Sequence, residues 1–135
     1  TAADMRAVDV AHGGRYVVAQ RTAGVEGRAG LAAAAKQAAE RSQRLLGFYG
    51  VGRYKGHLPY RTQNGDYQPA LGRKQEAEVY TPADIAENPT LADMTAAALT
   101  VLGPKERFWL MVEPGDVDWA NHDNNLDNSV GAVHS

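Results

Sequence analysis

At 135 residues, 44% of them apolar and 22% charged, the chain has about the length of one domain and enough apolar content for a core of ordinary size. A net charge of −2 supplies no basic field for nucleic acid or an anionic membrane, so neither is expected as a partner, and no apolar run approaches the roughly 20 residues that span a bilayer. The absence of cysteine excludes disulfides and thiolate metal sites and leaves His, Asp and Glu as the available metal ligands.

Residues 7–11, Ala-Val-Asp-Val-Ala, are a short apolar run closed by His12-Gly13-Gly14, which predicts a buried strand ending in a tight turn. Two glycines are weak support for a phosphate cradle beside simple turning, and His12 reads as structural. Residues 16–19, Tyr-Val-Val-Ala, extend this region, and residues 24–30 read as loop. Residues 31–46 are alanine-rich with Lys, Gln, Glu and Arg, which predicts a helix whose charges face solvent, with Arg41 and Arg44 complementing its C-terminal dipole.

Residues 47–72 hold six glycines, two prolines and four tyrosines, too irregular for a repeat and too aromatic for a flexible linker. They read as the start of an ordered, loop-rich surface excursion reaching to about residue 80, with Asn64-Gly65 suited to close a small hairpin. His57 has no second ligand near it in the sequence and reads as a surface residue. Thr81 to Asp84 and Asn88 to Asp93 are start-of-helix signals, with Thr90 as N-cap and Asp93 completing a capping-box-like pair. The second helix runs to Leu102, with Leu91, Met94, Ala98, Leu99 and Leu102 near one face and Gly103-Pro104 ending it.

Residues 108–112, Phe-Trp-Leu-Met-Val, predict a strand buried on both faces that stops at Glu113, where Pro114-Gly115 breaks it. Asp118 and His122 follow four residues apart, on one face of a helical turn. Such a set offers hard oxygen and borderline nitrogen donors to divalent metals. On spacing alone a plainer reading is favoured, in which Asp116 or Asp118 caps a helix, Glu113 is a solvated strand end and His122 lies on the surface. Leu126, Val130 and Val133 continue a helical pattern to Ser135, which puts His134 roughly 18 Å from His122 along one helix, too far to share an ion. Helix, short loop and apolar strand in this order indicate an α/β fold.

The wording Leu-Met-Val-Glu-Pro-Gly-Asp-Val-Asp-Trp-Ala-Asn-His from Leu110, preceded by Asn-Pro-Thr-Leu-Ala-Asp-Met-Thr from Asn88, resembles the metal-binding signature of bacterial-type alkaline phosphatases. The resemblance is strongest from Tyr80 to Val133. Weaker similarity links Asp9-Val10 and Gly13-Gly14 to a glycine-ended strand of that family, and Leu45 to Phe48 with Leu58-Pro59-Tyr60 to a strand and its following loop.

The resemblance implies part of a three-layer α/β/α sandwich, with residues 1–135 forming a single incomplete segment of the catalytic domain. It matches Glu113 to the glutamate of a magnesium site, and Asp118 and His122 to two of the three protein ligands of a first zinc. Trp119 occupies a position that varies among Lys, His and Trp, where it tunes the surroundings of phosphate and metal or simply packs on the site wall. The implied activity is hydrolysis of phosphate monoesters through a phosphoserine intermediate, with zinc and magnesium as cofactors, in a periplasmic or secreted protein, often a homodimer. The nucleophilic serine, the phosphate-binding arginine, the ligands of a second zinc and the last histidine of the first have no match here. Together with a start at Thr1 and a stop within a helical pattern, this reads as an internal fragment, inactive by itself. Two alternatives stand beside it: a non-catalytic α/β module whose acidic loop binds a divalent cation, and a related enzyme acting on phosphodiesters or sulfate esters.

Overall fold

A computed structural model describes residues 2–73 and 77–135; residues 74–76, within the expected excursion, lie outside the described residues. In chain order, α1 (Ala2–Val8) leads through a 3-10 turn (Val10–His12) to β1 (Tyr16–Gln20), α2 (Gly27–Glu40) and β2 (Arg44–Phe48). A second 3-10 turn (Gly52–Tyr54) precedes α3 (Pro82–Ala86), α4 (Leu91–Leu102), α5 (Gly115–His122) and α6 (Leu126–His134). Strands β1 and β2 pair in parallel, Tyr16 beside Arg44 and Gln20 beside Phe48, with α2 as the crossover that parallel strands require. The chain is α/β.

Local chemistry sets the element ends. Thr90 Oγ1 accepts from the Asp93 N–H at 3.2 Å while the Thr90 N–H donates to the Asp93 carboxylate at 2.9 Å, so the expected capping box starts α4, and Thr81 with Asp84 builds the same device on α3. The buried face of α4 centres on Ala97, with Met94 and Val101 packing beside it, while Leu99, expected on that face, is exposed.

Several expectations are corrected. Residues 7–11 form no strand: α1 runs to Val8, and the Asp9 carboxylate accepts from the Ala11 N–H at 2.9 Å, giving the backbone a local partner in place of a ladder. The turn expected after them is present, with Gly13 at φ +86°. The helix predicted over residues 31–46 starts earlier and ends at Glu40, with Ser42 in the left-handed region, and Arg44–Phe48 pairs with β1 instead. Residues 108–112 form neither strand nor helix, and Phe108, Trp109, Met111 and Val112 are exposed, Trp109 at 79%. A doubly buried strand needs ladder partners for its N–H and C=O groups, and among the described residues the ladder joins only β1 and β2. The single helix expected to run to Ser135 is two: Asn124 adopts φ +50°, and the Asn125 side chain accepts from the Asn128 N–H at 3.1 Å to start α6. His134 therefore lies on a different helix from His122 instead of three turns along the same one. Asn64-Gly65 turns the chain, the Gly65 N–H donating to the Thr62 carbonyl at 2.9 Å, without flanking paired strands.

Two apolar clusters result. The first packs Ala19 of β1 against Leu31 and Ala35 of α2 and Ala97 of α4. The second is built from Val51, Tyr60, Tyr80 and Ala132, with Tyr54, Tyr60 and Tyr67 meeting the Tyr80 ring edge-on at 5.7, 6.0 and 6.2 Å. The stretch read as a surface excursion thus contributes the buried side chains of Val51, Tyr60 and Tyr80. Helix α6 closes this cluster at near-contact distance: a Cβ on Gly131 would lie 1.9 Å from the Arg61 carbonyl oxygen. The buried Asp127 carboxylate accepts from the Gln63 N–H at 3.1 Å and the Ala70 N–H at 2.9 Å.

Asp84 joins the two clusters. Its carboxylate, 2% exposed, meets Arg21 just beyond β1 at 3.0 Å and Arg53 of the second cluster's 3-10 turn at 2.5 Å. Arg53 beside it, and the bonds from Thr81 and Arg21, outweigh burial and hold the Asp84 carboxyl far below the usual carboxylate range.

Candidate metal centre

Helix α5 begins where Pro114 and Gly115 interrupt the apolar run, with Asp116 and Asp118 in its first turn and His122 in its last. Both ends suit the helix dipole, negative charge at the N-terminus and imidazole at the C-terminus. Ala120 is buried while Asp118 and His122 project outward, 70% and 67% exposed, with Asp118 Oδ2 3.5 Å from His122 Nε2. The spacing therefore does what the sequence implied: it puts a carboxylate and an imidazole side by side on one helix face. Glu113 lies exposed ahead of the helix. Among the described residues no three His, Asp or Glu side chains are placed to hold one metal ion, so Glu113 is not gathered with the other two.

Trp119 lies at the junction of this face with the second cluster. Its indole is 6.3 Å from the His122 ring, 5.1 Å from the His57 ring and 4.5 Å from the Lys55 ammonium, measured to ring centroids. His57, read from sequence as a surface residue, is only 13% exposed, and its Nδ1 lies 2.5 Å from Glu78 Oε1. Glu78 Oε2 in turn accepts from the Tyr80 hydroxyl at 2.7 Å. Burial pushes the Asp116 carboxyl up to about 6; nearby His57 pulls it down and Glu78 raises it further. Burial raises the Tyr60 and Tyr80 hydroxyls too, with the Glu78 charge adding to both. A cleft of about 490 Å³ opens here, lined by Arg53, Lys55, His57, Glu78, Trp119 and Asp123. Sequence spacing gave no signal for the His57–Glu78 pair, whose partners lie 21 residues apart across loops.

Comparison with known proteins decides what this arrangement belongs to. The family model described as alkaline phosphatase matches residues 16–134. The chain belongs to the alkaline phosphatase family. A membrane-bound alkaline phosphatase of Bombyx mori is 40% identical over 60 residues, covering 44% of this chain and 11% of that protein. Alkaline phosphatase 3 of Bacillus subtilis (strain 168) is 48% identical over 46 residues, covering 33% and 9%. The matched stretch spans about a tenth of the length of these curated relatives. No solved structure matches the chain significantly. The α/β character agrees with this membership, and alkaline phosphatases generally use metal ions. Among the described residues no helix is long and apolar enough to cross a membrane.

The donor chemistry can be tested against the metal the family implies. Asp118 and His122 are donor types that zinc accepts, already adjacent on one face. A catalytic zinc takes three protein ligands and keeps one open position, and two donors do not complete that set. No chemical step is therefore assigned to a metal within this chain.

Proposed function

We propose that this chain is part of a zinc- and magnesium-dependent phosphomonoesterase, in which Asp118 and His122 are two ligands of a zinc ion and Glu113 is a ligand of a magnesium ion. The observation that carries the reading is the outward-facing Asp118–His122 pair, 3.5 Å apart, inside a family match covering residues 16–134. The substrates are phosphate monoesters of small molecules. The serine nucleophile, the phosphate-binding arginine and the remaining metal ligands come from parts of the enzyme outside these 135 residues. The enzyme is exported and works as a homodimer.

Trp119 supports the same reading from beside the pair. It packs between the His122 and His57 rings, so it forms the wall next to the ligands.

The test uses the complete polypeptide that contains this segment. Supplied with zinc and magnesium, it hydrolyses p-nitrophenyl phosphate, and a chelator abolishes the reaction. Asp118→Ala and His122→Ala each lower kcat/KM by about 100-fold or more. The isolated 135-residue chain shows neither tight zinc binding nor turnover. Chelator-insensitive hydrolysis, or turnover by the isolated chain, would refute the assignment. Cation binding by a complete polypeptide that hydrolyses no ester would favour a non-catalytic metal-binding module.

A further inference from the structure

Among the described residues, the cleft beside Trp119 carries one cationic side chain without a carboxylate partner. Arg53 is committed to Asp84 and to the Val79 carbonyl, and His57 to Glu78, which also accepts from Tyr80. Lys55 is exposed, and its ammonium rests on the Trp119 ring at 4.5 Å; among the described residues no carboxylate pairs with it. The same indole packs against His122, the imidazole of the Asp118–His122 pair. A positive charge from a distant loop is thereby delivered next to the helix face that carries the proposed zinc ligands.

The backbone that delivers it is strained. Lys55 adopts φ +57°, a left-handed conformation that glycine enters freely and a lysine does not. The chain places glycine at neighbouring Gly56, also left-handed, yet keeps a long cationic side chain at residue 55. That conformation closes the 3-10 turn Gly52–Tyr54, the Lys55 N–H donating to the Gly52 carbonyl at 3.2 Å, and it leaves the side chain free to lie on Trp119.

We infer that Lys55, seated on Trp119, forms a subsite for a second anionic group carried by the substrate, favouring phosphate monoesters that bear a further phosphate or carboxylate over those with a neutral leaving group. This rests on the phosphomonoesterase reading, since Trp119 is the link between the ammonium and the zinc-ligand face. The attraction is electrostatic: an ammonium held on an aromatic face beside partly desolvated walls meets an anion with less screening than one extended into bulk water.

Two experiments test it. In the complete polypeptide, titration with inorganic pyrophosphate in metal-free buffer gives a saturable binding heat in calorimetry. Lys55→Met weakens that binding about fivefold, the loss expected for one charge-assisted contact, and Lys55→Arg retains it. Lys55→Gly relieves the left-handed backbone, so it leaves the thermal midpoint unchanged or higher while binding is lost; a merely structural lysine would lower the midpoint instead. In the complete enzyme, Lys55→Met raises KM about fivefold for an ester with a second anionic group and leaves kcat, and KM for p-nitrophenyl phosphate, unchanged. Pyrophosphate binding that is absent or indifferent to Lys55→Met, or a KM increase equal for both substrates, would overturn the subsite. Absence of any zinc-dependent hydrolysis by the unmutated complete polypeptide would instead overturn the phosphomonoesterase reading, and with it the assignment of the anion to a substrate.

Discussion

The two apolar clusters of this chain are built by different rules. The first, around Leu31, Ala35 and Ala97, comes from regular elements: a helix laid over two parallel strands and a second helix laid on the first. Its partners are spaced by helical and strand periods, and its small alanine contacts let α2 and α4 approach closely. The second, around Tyr60 and Tyr80, contains no strand and sets irregular chain against single residues of α3, α5 and α6. It is held by edge-on tyrosine rings, by the Asp127 carboxylate binding backbone N–H groups of residues 63 and 70, and by the bare Gly131 surface of α6. A core of the first kind is specified by repeating pattern, and one of the second kind by individual long-range pairings. The proposed metal-ligand face and the Lys55 cleft both depend on the second, because Trp119 is braced by residues 55 and 57.

The comparison is tested most severely at Asp84, which serves both clusters. Asp84→Ala leaves Arg21 and Arg53 without their shared buried partner and removes the α3 capping box, and is expected to cost about 3–5 kcal/mol in chemical denaturation. The same residue sets an acid limit. Its folded pKa is depressed, so the unfolded chain takes up the proton first. The Asp84 contribution is complete at pH values above the unfolded carboxyl pKa of about 4, and is lost as pH falls from there through the folded value. An acid titration of stability should therefore be steeper for the parent chain than for Asp84→Ala.

Leu31→Ala and Gly131→Ala separate the clusters. The first empties a fully buried position and is expected to cost about 3 kcal/mol. The second drives a methyl group into the Arg61 backbone and is expected to cost about 2 kcal/mol. Native-state hydrogen exchange distinguishes them: Leu31→Ala speeds exchange in α2 and β1, and Gly131→Ala in α6 with residues 61–66. Equal loosening everywhere would mean that the clusters form one cooperative unit. The smallest effect is that of Thr90→Ala, about 1 kcal/mol from the loss of one N-cap, confined to α4 and read from the same exchange data.

Legibility followed the same division. The cap residues Thr81 and Thr90 were readable because a capping box is complete within four residues, and the Asp118–His122 face because a helical turn fixes it. The apolar run at 108–112 misled because hydrophobicity reports the burial a segment prefers, while a strand also needs a neighbour to complete its ladder. His57 misled in the opposite sense. Its partner Glu78 lies across irregular chain where no period connects the two.

By itself, the sequence determined the capped α4, the glycine turns at residues 13 and 65 and the pairing of Asp118 with His122, since each rests on contacts within a few residues. Family membership was legible for the same reason, in an uninterrupted run of wording. Residues 44–48 join a sheet, as their resemblance to a family strand implied and their helical composition did not, while tertiary structure alone decided that the tyrosine-rich stretch forms a core and that Lys55 and His57 meet Trp119. Those outcomes depend on which distant groups satisfy a backbone N–H, a buried carboxylate or an aromatic face, and local periodicity does not encode that choice.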